Sequence, residues 1–114
     1  MAPTTALDLA QLTIDQFAGS VDAAFTLVQR NQSLELTLVA VKGNPDGAGP
    51  ESRRTPFSLI LRADESSGHP IQNLRELTGD LHGLQSGLVA GVMVVRVLRP
   101  AGLPPGAYYQ VSFS

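Results

Sequence analysis

The chain has 114 residues and a mass of 12.0 kDa, the size of one domain with one real core. Hydrophobic residues make up 43% and charged residues only 16%, which excludes disorder driven by charge excess. Eight Lys+Arg against ten Asp+Glu leave a formal charge of -2 and argue against a nucleic-acid footprint, and the absence of cysteine removes disulfides, thiolate nucleophiles and cysteine-based zinc sites.

Residues 1–11 read as an N-terminal arm, mildly apolar through Leu7 and Leu9. Residues 12–114 read as a single β domain. Thr13–Phe17 forms a short helical turn, with Thr13 as candidate N-cap, Gln16 three residues later and Gly19 as the stop. The simplest role for Leu12 and Phe17 is to plug one end of a barrel or sandwich. From Ala24 the period becomes two: Phe25 and Leu27 alternate with Thr26 and Val28. After the polar connection Arg30-Asn31-Gln32, Leu34, Leu36 and Leu38 alternate with Glu35 and Thr37, which predicts a half-buried hairpin. Beyond Leu38 the run Val39-Ala40-Val41 is apolar at every position, so that end is expected to be covered on both faces.

Residues 43–54 are dominated by glycine and proline and keep no period, which predicts a long loop. Phe57, Leu59 and Leu61 form one face of the next strand, with Pro56 at its first position, where a missing N–H does least harm. A turn over 64–70 follows. Residues 72–84 are ambiguous. Ile71, Leu74, Leu77, Leu81 and Leu84 recur at spacings of three and four, which favours a helix. Gly79 and Gly83 argue for two short strands around a turn or bulge instead. Leu88–Leu98 is a long strand with apolar residues on both faces, Val92 and Val94 against Met93, Val95 and Val97, and is expected to be central. A loop over 100–106 leads to the last strand, 107–114. There Tyr109, Val111 and Phe113 face inward, and Tyr108, Gln110 and Ser112 outward. The fold class predicted is all-β and mainly antiparallel, a small barrel or sandwich of about six strands with one short N-terminal helical turn.

Catalytic patterns do not assemble from this material. His69 and His82 both sit in glycine-containing turns, at no zinc-motif spacing. Gly83-Leu84-Gln85-Ser86-Gly87 has the wrong spacing for a nucleophile elbow. Asn44-Pro45-Asp46-Gly47 is a turn former first and lacks the carboxylates of a calcium loop. Adjacent Asp64 and Glu65 diverge, and Arg53-Arg54 reads as a solvated loop. A hydrolase using His69 or His82 with Asp64 or Asp80 is therefore the least favoured reading. No catalytic residue, metal site or cofactor is expected.

The order Leu12-Thr13-x-x-x-Phe17, Phe25, Leu34-Glu35-Leu36-Thr37-Leu38-Val39-x-Val41, Phe57-Ser58-Leu59-Ile60-Leu61-Arg62 and Tyr109-Gln110-Val111-Ser112-Phe113 resembles a small bacterial family of all-β domains of unknown function. Its members are often encoded beside proteins resembling phage tail-collar or tail-fibre subunits. The resemblance spans roughly residues 12–114, favours two strands over a helix for 72–84, and carries over no catalytic residue. It implies a non-enzymatic structural or interaction module that packs in or on a fibre or phage-tail-like assembly or assists its assembly.

The expected partner is a protein, a fibre or tail-collar-like subunit or further copies of this chain, with no nucleic acid and no membrane insertion. A free arm or a terminal strand could pair with a partner's sheet edge, and outward residues suit an interface. That makes Leu7, Leu9, Tyr108 and Gln110 the candidate interface residues. The runner-up is a β-barrel with a Leu/Val/Met interior that holds an apolar small molecule. With no leader at the start, synthesis is expected in the cytoplasm, and an exported assembly would carry the protein outside the cell. Strands apolar on both faces also leave more apolar surface than one small core uses, which itself argues for packing against another protein.

Overall fold

A computed structural model of the chain describes residues 12, 14–43, 56–64, 75–84 and 87–113. One short helix, α1 (Ile14–Ala18), precedes six strands: β1 (Ala24–Gln29), β2 (Gln32–Gly43), β3 (Phe57–Ala63), β4 (Glu76–Leu84), β5 (Gly87–Val97) and β6 (Ala107–Phe113). All pairings are antiparallel, and the sheet closes on itself in the order β1-β2-β3-β6-β5-β4. The fold is thus a closed six-strand barrel. Every strand has two partners: β6 lies between β3 and β5. Over Tyr108–Val111 both sides of β6 are taken by neighbouring strands. The arm, with Leu7 and Leu9, lies outside the described residues, as do Thr13 and the 44–55 loop.

Alternation fills the barrel from every wall. Phe25, Leu27, Leu36, Leu38, Leu59, Leu61, Leu81, Val94, Tyr109 and Val111 are each no more than 5% exposed and belong to one core. A barrel of eight strands is just wide enough for side chains to fill, so six strands leave less. The interior is packed mainly with leucine and valine, with the Phe25 and Tyr109 rings among them. At one end the Phe17 ring from α1 lies 5.8 Å from both Phe57 and Phe113, whose own centroids are 4.7 Å apart. With Leu12 also buried, α1 is the plug expected at that end. Asp22, at φ 73°, turns the chain from this plug into β1. Its N–H donates to the Leu38 carbonyl at 2.7 Å, and Leu38 N–H donates to Ala23 at 3.1 Å. Asparagine and aspartate tolerate this left-handed region better than other L-residues.

Three register shifts explain where the sequence period misleads. In β2 the shift between Leu38 and Ala40 inserts Val39, so Leu38 and Val41 both meet the core. The continuous apolar run at 39–41 thus marks a bulge, and these residues are half-buried instead of covered on two faces. Residues 76–84 form one strand, neither a helix nor two strands. Leu77, Gly79 and Leu81 face inward at period two, and an extra residue then brings in Leu84. Gly79 occupies an inward position with no side chain, so the leucines alone show spacings of four and three and imitate a helix. Opposite this strand, β5 bulges at Ala90–Gly91 between Val89 and Val92.

Candidate functional site

The outer face of β5 and β6 carries the features that the core does not absorb. Neighbouring cross-strand pairs set its rows. Val95 stands opposite Gln110 on one side and Glu76 on the other, and Val97 stands opposite Tyr108. Met93 is 59% exposed, Val95 38% and Leu98 93%. Met93, Val95, Val97, Gln110 and Ser112 line a shallow depression of about 330 Å³. The two polar residues are bonded to each other, Gln110 Nε2 donating to Ser112 Oγ at 3.1 Å. Ser112 Oγ lies 3.5 Å from Ser58 Oγ on β3. The face is therefore apolar along β5 and polar, already hydrogen-bonded, along β6.

Gln110 stands on the outward face, half-buried beside Val95. Tyr108 does not lie open as an interface residue. Alternation places it outside the barrel core, yet it is 0% exposed, because the loop from Leu98 to Gly106 folds over it. Its hydroxyl donates to the Pro104 carbonyl. Arg62, directly opposite on β3, donates through Nε to the Pro105 carbonyl at 2.9 Å and through Nη2 to the same oxygen. Proline has no N–H but keeps a carbonyl acceptor. Two consecutive prolines thus present acceptors to one tyrosine and one arginine, and the loop is clamped. Gly106 is held so close that an added Cβ would fall 2.6 Å from Arg62 Nε.

Beside this loop, at the barrel end opposite the phenylalanine plug, lies a groove of about 780 Å³. Its floor is Val95, Val97 and Leu98, one wall is Pro105–Gly106, and its charged rim is Arg75, Arg96 and Arg99 with Glu76. Arg96 N–H donates to the Arg75 carbonyl at 2.7 Å, which continues the ladder past β4 and fixes Arg75 to the rim. The Arg96 guanidinium lies 5.5 Å from the centre of the Tyr109 ring, a cation–π arrangement. The Tyr109 hydroxyl below it is buried without a hydrogen-bond partner. Burial pushes its titration above the usual 10.0, and the Arg96 charge and the nearness of its N–H groups, which fall short of good hydrogen-bond geometry, pull part of the way back.

Of the candidate acid–base residues, Asp80 and His82 stand two apart on the same strand. His82 sits mid-strand on the outer side of β4, opposite Thr26. Two residues away, Asp80 Oδ1 accepts the N–H of Gly91 at 2.9 Å and so holds the β5 bulge. His69, Glu65, Arg53-Arg54 and Asn44–Gly47 lie outside the described residues. Among the described residues, no three histidines, aspartates or glutamates come together at a metal-binding distance, and no helix is long and apolar enough to cross a membrane. The sequence pattern marks Met93, Val95 and Val97 as one apolar face of a strand expected to be central, and as part of a surplus of apolar surface. It did not connect the arginines, which are far apart in sequence. The available signal was that Arg62, Arg75, Arg96 and Arg99 all fall near strand ends that antiparallel pairing brings to one end of the barrel.

A search of curated proteins and a search of solved structures each returned no match. A family model does match, over residues 12–113, nearly the whole chain and the whole of the barrel. The chain belongs to the family described as Domain of unknown function (DUF6916).

Proposed function

We propose that this barrel is a non-enzymatic interaction module that works by packing its outer β5 face against another protein. One observation carries the reading: Met93, Val95 and Leu98 stay exposed although the chain has an interior to put apolar groups in. All six aromatic rings, by contrast, are buried. An apolar strip rimmed by hydrogen-bonded polar residues is the composition of a protein interface. The closed sheet favours a face over an edge, since every strand already has a partner on each side along part of its length. The finer assignment, a module in or on a fibre or phage-tail-like assembly, rests on the resemblance of the hydrophobic pattern, and the partner is then a fibre or collar-like subunit or further copies of this chain.

The test is size-exclusion chromatography with light scattering, on the protein alone and with the products of neighbouring genes. A complex or a self-assembled species is expected, and Met93→Glu with Val95→Glu should weaken it at least tenfold while leaving the circular-dichroism spectrum unchanged. A clean monomer that ignores every neighbouring product would overturn the reading.

A further inference from the structure

The groove at the barrel end combines two chemistries that seldom serve one ligand. Its floor of Val95, Val97 and Leu98 is apolar, and Leu98 is the most exposed large hydrophobic residue described. Its rim carries two exposed arginines, Arg75 and Arg99, against one glutamate, in a chain whose formal charge is -2. Like charges held together cost Coulomb energy unless an anion relieves them, and guanidinium groups suit carboxylates through paired donors.

A free inorganic anion would use the rim and leave the floor uncovered. A nucleic acid would use the rim and look for rings to stack on, but every aromatic side chain is buried. An extended peptide with alternating acidic and aliphatic side chains satisfies both parts. Its period of two places apolar groups on the floor and carboxylates at the rim.

We propose that this groove is the binding site for an acidic–aliphatic peptide segment of a protein partner, with Arg75 and Arg99 reading its carboxylates and Leu98 covering its apolar side chains. The inference rests on the interaction-module reading and names the partner's chemistry within it. Arg96 has a different part, because its guanidinium lies over the inward Tyr109 ring. The wall is ready-made, since Arg62 and Tyr108 already hold the proline loop.

The probe is a library of random dodecapeptides selected on the immobilised full chain, followed by fluorescence anisotropy of the selected peptides. Peptides with Asp or Glu interleaved with Leu, Ile or Val should be enriched. Their affinity should fall at least tenfold for Arg75→Gln/Arg99→Gln, by a similar factor when their own carboxylates are replaced by amides, and several-fold for Leu98→Ser. Arg75 and Arg99 are exposed, so these substitutions leave the core alone. Three results overturn the inference: no peptide selected, selected peptides without acidic enrichment, or equal binding by the double variant. Oligothymidylate binding as tight as the peptides would also overturn it, in favour of a nucleic-acid surface. If the inference fails while Met93→Glu with Val95→Glu still breaks a protein complex, the interaction reading stands and only this partner chemistry falls.

Discussion

At the scale of single residues, Tyr109 is the least comfortable group in the barrel. Its ring packs inward with Val111 and Phe113, as the alternation of the last strand predicts, but its hydroxyl is carried inside without a partner. A buried hydroxyl left unpaired costs about 1–3 kcal/mol, so Tyr109→Phe should be neutral to slightly stabilising near pH 8. The alkaline limb separates the two proteins further. Because the folded pKa is raised above the unfolded 10.0, the folded state holds its proton longer. The contribution is complete below about pH 10 and is lost as pH rises from there through the folded value. Urea midpoints at pH 8 and pH 11 should therefore fall more for the parent than for Tyr109→Phe; equal falls would refute the assignment. Inward Tyr109 was legible from period two, whereas the fate of its neighbour was not. Tyr108 is outward by the same rule, and only the loop folded over it, a contact between distant positions, makes it buried.

Elements tell the same story at larger size. The β4–β5 hairpin is held in shape by an irregularity at each strand. Gly91 adopts φ 66° with open space around it, a conformation that suits glycine, and its N–H is received by Asp80. Gly91→Ala should cost about 1 kcal/mol through backbone strain alone, and Asp80→Ala a similar amount through the lost acceptor. The double variant should lose less than the sum, since both act on one bulge. Chemical denaturation of the four proteins in the cycle measures this, and strict additivity would count against a shared role. Gly83 differs in kind: an added Cβ would fall 2.4 Å from the Phe25 ring, so Gly83→Ala should cost about 1–3 kcal/mol by overpacking. These bulges are also why residues 39–41 and 72–84 were hard to read. A bulge changes which parity faces inward, and a glycine at an inward position erases a mark from the pattern. Strands without such events, β1, β3 and β6, were legible almost to their ends.

For the whole molecule, closure is the decisive property. A six-strand antiparallel architecture follows from short alternating runs between turns, but sandwich and barrel satisfy the same runs. What selects the barrel is the pairing of β1 with β4, over Thr26, Leu27 and Val28 against His82, Leu81 and Asp80. No local signal encodes a contact between residues more than fifty positions apart. The seam is short beside the seven pairs joining β3 to β6, so amide exchange should be faster along β1–β4 than along β3–β6. Uniform protection around the barrel would contradict this. The plug secures the end where β3 starts and β6 finishes. Removing its central ring with Phe17→Ala should cost about 3–5 kcal/mol, a large share of a small domain's stability, read as a lower urea midpoint. The interaction face was legible only as a surplus of apolar residues; where that surplus lies depended on the closed sheet.

The two tyrosines also give the molecule its own optical signal. The chain has no tryptophan, so near-ultraviolet absorption and emission come chiefly from Tyr108 and Tyr109. These neighbours point to opposite sides of one strand: one ring lies inside the barrel beneath the Arg96 guanidinium, the other outside it beneath the proline loop. A phenol donating to a carbonyl absorbs and emits differently from one held without a partner, so the pair forms a two-component reporter across a single wall. An event in the groove that shifts the loop perturbs the outer component alone, whereas loosening of the barrel perturbs both. Unlabelled protein can thus distinguish occupancy of its surface from relaxation of its interior in one spectrum.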